Sequence, residues 1–362
     1  MDFTPGEAEI AAGRLAAQVL SAAAAGTADF DDGLWKELGH VGLLSLALPA
    51  DLGGENLGML ATAAVLTEAG RYAARIPALA TLALGVLPVV RAVDAGLRRM
   101  LLSGVATGDT VLTAALREPS DPMPERPATV AANGTVSGLK TGVPYAAAAT
   151  WILLPASTPG GIVVVVVESA GAGLSCQRTH SSSGLPEYTL RLDRAPVVAV
   201  LDGCDAGALY QLAVAGACAM ADGALAAALQ LTTAHVRSRE QFGRPLATFQ
   251  AVAQQIADVY VTARTLHLAT LSACWRLDSG RDAGRDTDVA AYWATEYGPP
   301  ALRTCHHLHG GLGMDVSYPL SRYSALVTDL VRFLGGTADR LDRLSRREQI
   351  HPEAVEPGMA GA

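Results

Sequence analysis

RSREQFGRPLATFQ (residues 237–250) interrupts two long apolar stretches. Before it, residues 206–237 are rich in Ala, Leu and Val, and after it residues 249–277 and 289–308 repeat that texture, nearly free of internal Gly and Pro. Each stretch exceeds the average α-helix of about 11–12 residues, and long helices linked by short turns pack as antiparallel bundles. Residues 204–348 therefore read as a four-helix bundle, with Arg239 set at a helix end.

Working outward, residues 110–203 change texture. TVLTAAL, WILLPA, GIVVVVVE and YTLRLDRAPVVAV are short β-branched runs separated by Gly, Pro, Ser and Asn, which predicts a small antiparallel β-barrel or sheet. Residues 1–109 return to helical periodicity: Leu34, Leu38, Val41 and Leu46 lie near a 3.6-residue spacing, and Asp29 or Asp31 stands where a helix cap is needed. Residues 349–362 have little to bury and read as a disordered tail. The fold class is α+β, in three units.

Half of the 362 residues are apolar and 17% are charged, as in a well-packed globular chain. A net charge of −8 supplies no basic field and excludes nucleic acid as a partner. The charge-free run at residues 76–90 contains two prolines and falls short of the roughly 20 residues a membrane span needs. The start MDFTPGEAEI lacks the pattern of a signal peptide. Five cysteines without CxxC spacing suit a reducing compartment, so the expected location is the cytoplasm.

The motifs carry a resemblance. LWKELGHVGLLSLALPADLGG (residues 34–54), LTEAGR (66–71), RSREQFGRPLATFQ (237–250) and HLHGGLGMDVSYPLSRY (307–323) resemble, in order, the recurring segments of acyl-CoA dehydrogenases across nearly the whole chain. A guanidinium offers a planar fork of donors to phosphate oxygens, and paired glycines let backbone approach a ligand closely. The resemblance implies that Arg239 reaches the FAD pyrophosphate of a neighbouring subunit. It places Phe242, Leu246 and Phe249 along the cofactor's path, and His307, Gly310 and Gly311 against its adenosine half. His307 stands where the family has Gln and Met314 where it has Tyr; imidazole and amide both hydrogen-bond to a ribose or adenine. His306, His307 and His309 with Asp315 match no recognised metal-site spacing, so no metal is expected.

The catalytic half of the pattern is missing. Family members remove a thioester α-proton with a positioned Glu, since such a proton is too weakly acidic to leave unaided. The resemblance puts that Glu at Gly335 in FLGGT (333–337) or at Leu209 on the first bundle helix, and neither is an acid. The loop REPSDP (117–122) keeps Glu118 and Pro119 but lacks the family's Gly-Ser-Asp, and Gly142 and Pro144 replace the Trp and Thr that face the flavin ring. No catalytic residue is expected on this chain. It resembles the base-lacking subunit of heterotetrameric acyl-CoA dehydrogenases, built from two copies each of two chains, in bacterial steroid side-chain degradation. FAD would be shared with a catalytic partner, the substrate would be an acyl-CoA thioester, and electrons would pass on to a transfer acceptor. Two other readings stay open: a self-sufficient flavoenzyme with an unusual base such as Asp329 or Asp339, and a scaffold without nucleotide contact.

Overall fold

A computed structural model describes residues 6–21, 29–92 and 94–350. Five helices form the first part: α1 (Glu7–Leu20), α2 (Asp32–His40), α3 (Met59–Arg71), the short α4 (Leu87–Val90) and α5 (Ala95–Leu102). A wide-pitched helical segment, Leu79–Val86, leads directly into α4. Asp31 is the α2 cap, its Oδ1 accepting from Leu34 N–H at 3.0 Å, whereas Asp29 pairs with Arg178 of the sheet.

Eight strands follow: β1 (Leu112–Ala114), β2 (Val130–Ala132), β3 (Thr135–Pro144), β4 (Trp151–Thr158), β5 (Gly161–Glu168), β6 (Leu174–Thr179), β7 (Glu187–Pro196) and β8 (Ala199–Val200). They pair in the order β6-β7-β3-β2-β4-β5-β8, with β1 added on β4. The sheet is mixed, because β4 runs parallel to both β1 and β2 while its pairing with β5 is antiparallel. The unbroken valine run of β5 has a packing cause. Val164 and Val166 enter the core shared with the helices, and Val165 and Val167 enter a second core inside the sheet unit. A strand buried on both faces needs no polar alternation.

The last part comprises α6 (Ala206–Ser238), a hairpin of β9 (Glu240–Gln241) and β10 (Arg244–Pro245), α7 (Gln250–Asp278), α8 (Gly284–Glu296), α9 (Gly298–His309), α10 (Leu320–Phe333) and α11 (Gly336–Ile350). The third long helix expected from sequence is divided in two at Tyr297, where Gly298, Pro299 and Pro300 restart the chain as α9. Proline lacks the N–H that would continue the preceding helix but is well placed in a first turn. By length and composition α6 could cross a membrane, yet most of it is buried within the protein. Residues 351–362 of the expected tail lie outside the described residues, and α11 continues to Ile350.

Both helical parts share one hydrophobic core. Helices α3 and α6 cross nearly backbone to backbone: a Cβ at Gly70 would lie 2.0 Å from Met220 O, and one at Gly223 would lie 1.8 Å from Thr67 O. The glycine of LTEAGR is thus a packing requirement. In the sheet unit, Glu118 of REPSDP accepts from Ala128 N–H, Thr129 N–H, the Thr129 hydroxyl and, at 2.8 Å, Lys140 Nζ. Its role is to tie β2 and β3 together from a buried position.

Candidate cofactor-contacting end of the bundle

Helix α6 ends at Arg239, whose N–H still donates to His235 O at 2.8 Å while its own backbone turns extended. The chain then reverses through Phe242 (φ 54°) and Gly243 (φ 77°). Two successive residues of positive φ make the tight reversal that matches the twist of a two-residue hairpin. A bulky residue is rarely found in that region, and Phe242 pays no burial dividend for it, being 92% exposed. Leu246 and Phe249 are half-buried behind it. The Phe249 ring meets Phe242 edge-on at 6.2 Å and carries the Arg244 guanidinium 4.2 Å above its centroid. The cation–π contact orders the hairpin. Arg239 is exposed, and its guanidinium has no hydrogen bond or ion pair among the described residues.

The second motif closes α9. Gly310 adopts φ 58°, ψ −134°, a conformation open in practice only to glycine. Gly311 is exposed, and nothing lies within 4 Å of the place a Cβ would occupy. No atom among the described residues therefore explains the absence of a side chain at Gly311. Gly313 is different: a Cβ there would meet His306 O at 2.6 Å. His306 fastens the loop, with Nδ1 2.7 Å from Gly313 O and Nε2 2.6 Å from Ser324 Oγ of α10.

The two motifs lie at the same end of the bundle. His235, one turn before Arg239, stacks on His309, next to Gly310, with ring centroids 4.4 Å apart and planes inclined by 20°. Burial lowers the pKa of His309, outweighing its bond to Cys305 O. Burial also lowers that of His235, assisted by repulsion from His309 and Arg239. Both shifts favour the neutral rings. Sequence reasoning missed this pair because no local pattern links α6 to α9. His307 is exposed on the same last turn of α9, and no group of three or more potential metal ligands occurs among the described residues.

The positions for a base are closed as well as empty. Leu209 is fully buried. Gly335 has φ 90°, and a Cβ there would lie 2.7 Å from both Pro122 Cγ and Asp339 Oδ2. Asp329 accepts from Ser182 N–H and Ser183 N–H at 2.8 Å, from the Ser183 hydroxyl, and from Arg332. Burial raises its pKa, but these donors, the Ser183 hydroxyl foremost, hold the carboxyl below its usual value. Asp339 is engaged by Arg343 at 2.9 Å and lies 3.7 Å from Arg340. With its lone pairs so occupied, Asp329 is a poor proton acceptor. Gly142 and Pro144 line a cavity of only about 70 Å³ with Tyr145, Glu187 and Asp329. Pro144 O already accepts from the Thr113 hydroxyl at 2.7 Å, and Arg332 closes onto Glu187.

A helical unit, a mixed sheet and a helical bundle, in that order, make a three-part architecture that known proteins share. Residues 8–109 match the acyl-CoA dehydrogenase N-terminal domain and residues 211–348 match the acyl-CoA dehydrogenase C-terminal domain. The chain is 46% identical over 319 residues to acyl-CoA dehydrogenase FadE28 of Mycobacterium tuberculosis, covering 86% of this chain and 91% of that protein. It is 33% identical to FadE27 of the same organism, over 88% of each. This chain belongs to the acyl-CoA dehydrogenase family. Among solved structures, a variant of the Tcur3481–Tcur3483 steroid ACAD superposes with a TM-score of 0.90 at 32% identity, covering 97% of this chain and 100% of that one. The ChsE4–ChsE5 complex from Mycobacterium tuberculosis gives 0.88 at 30% identity, covering 99% and 100%.

Proposed function

We propose that this chain is the non-catalytic subunit of a heteromeric FAD-dependent acyl-CoA dehydrogenase, completing a FAD site whose ring pocket and catalytic Glu belong to a partner chain. One contrast carries the reading. The face bearing Arg239, Gly310 and Gly311 is open and unengaged, while the place for a base is blocked at Gly335. The free guanidinium and bare backbone suit the pyrophosphate and adenosine of a dinucleotide. When bound, the flavin would accept the hydride as a 2,3-double bond forms in the thioester. In this chain Arg239 would neutralise phosphate charge, Gly311 would admit the adenosine, His307 would offer its imidazole to a ribose or adenine, and Phe242, Leu246 and Phe249 would shield the path from water.

The similarity to a steroid ACAD and to a two-component complex supports a steroid side-chain CoA ester as substrate and a heterotetramer as the assembly. In the same reading the complex works in the cytoplasm and passes its electrons to a separate acceptor. The self-sufficient alternative loses ground with Asp329, both of whose oxygens already accept hydrogen bonds, and with Asp339, whose Oδ2 is engaged by Arg343. Co-expression tests the reading. The chain purified alone should be colourless and inactive, and the complex with its catalytic partner should be yellow and desaturate an acyl-CoA. Stoichiometric flavin and turnover in the isolated chain would overturn it.

A further inference from the structure

Helix α7 leaves one face without cover. Its inward side is occupied by Val259, Ala263, Leu266 and Thr270, all buried. The opposite side presents Ala257, Val261, Arg264 and Leu268, all exposed, at steps of four, three and four residues. Residues three and four apart share a helix face, so these four form one stripe, with Tyr260 beside it. Tyr260 is 59% exposed and Val261 58%. No other α-helix exposes more than one large apolar side chain among the described residues. Contiguous exposed apolar groups of this kind mark an interaction surface.

The charges on this face identify what covers it. Asp258 and Arg264 are exposed, and neither has a hydrogen bond or ion pair among the described residues. They lie three residues before and three after Val261. Three residues turn a helix by about 300°, so the two side chains flank Val261 towards opposite ends and on opposite sides of the stripe. A two-fold axis at Val261 maps that arrangement onto itself. When two identical helices pack antiparallel about such an axis, Asp258 of one copy meets Arg264 of the other, and the reverse contact forms at the same time. The stripe from Ala253 to Leu268 is about 24 Å long. One helix wide, about 10 Å, it covers far less than the roughly 800 Å² per partner of a free-standing complex. It therefore suits a joint inside a larger assembly.

We infer that two copies of this chain pair through α7, antiparallel about a two-fold axis at Val261, and so join two heterodimers; the inference rests on the heteromeric reading for the rest of the assembly. The test uses the co-expressed complex carrying Cys176→Ser, since Cys176 is exposed and the other four cysteines are buried. Adding Val261→Cys should give, on mild oxidation, a disulfide between two copies of this chain, read as its doubled mass on a non-reducing gel. Asp258→Arg and Arg264→Asp, each added singly, should cut the linked fraction about threefold or more, because both symmetry-related pairs turn repulsive at once. The two exchanges together should restore it. No linked species, a link to the catalytic partner instead, a linked fraction indifferent to the single exchanges, or a double exchange that fails to restore it would each overturn the inference. Flavin content and turnover of the same samples keep the two readings apart. A yellow, active complex without the link sinks the pairing alone, and a link in a colourless, inactive complex sinks the flavin-sharing reading alone.

Discussion

Arg239 has no partner among the described residues, and Gly311 lacks a side chain that they would leave room for. Both are unexplained by packing and both make sense against an anionic ligand from outside. A bidentate, charge-assisted contact is worth about 1.5–3 kcal/mol, so Arg239→Ala in the co-expressed complex should weaken flavin retention by roughly 10- to 100-fold. Arg239→Lys should recover only part of it, because a point charge lacks the planar fork. Measured by flavin loss on dilution, an unchanged release would favour a scaffold without nucleotide contact. These residues stood out in sequence because each sits in a short motif, and their contact with a cofactor is what the variants test. The His235–His309 stack was not, since the two rings meet only after α6 and α9 have packed.

Long helices are similarly self-announcing, and α6 and α7 begin and end within a residue of where their texture changes. The break between α8 and α9 was missed although Gly298, Pro299 and Pro300 stood in plain view, because continuing apolar periodicity outweighed them. Strands β2, β3 and β6 were missed for another reason. β2 is only three residues long, β3 and β6 carry Gly, Ser, Thr and charge, and the strand character of all three comes from pairing partners rather than from their own residues. The parallel pairings of β4 are a tertiary outcome that no local run encodes.

At the junction of α6 and α9 the histidine pair has a pH consequence. Both folded-state values lie below the ordinary histidine value of 6.5, burial being the main cause. The separated helices therefore bind protons that the packed pair refuses. Packing at this junction should be at full strength above about pH 6.5 and weaken as the pH falls through and below it. Flavin retention by the complex, followed by fluorescence, should decline over that acid range, and His235→Phe should flatten the profile. A wild-type profile level from pH 7.5 to 5.5 would contradict the coupling.

Across the whole molecule, one core joins both helical parts and a second fills the sheet unit, yet large apolar groups remain outside. Phe242, Met314 and Val316 are each at least 80% exposed and all belong to the two motif loops. Apolar groups clustered on functional loops mark an interaction surface. Phe242→Asp combined with Val316→Asp should leave the folded chain intact by circular dichroism and abolish its co-elution with the catalytic partner in size-exclusion chromatography. Retained co-elution would move the interface elsewhere.

The corner between α10 and α11 bears on this protein's history. Pro122 stands against Gly335, and its neighbour Met123 is tethered to α11 through Arg343, while Arg340 anchors the same helix to Asp288. A single base change can turn a glycine codon into a glutamate codon, but here the new side chain would collide with a braced corner. On the proposed reading, the way back to an independent catalyst would need several compensating changes rather than one, and a lineage that had taken this step would keep its dependence on a companion gene.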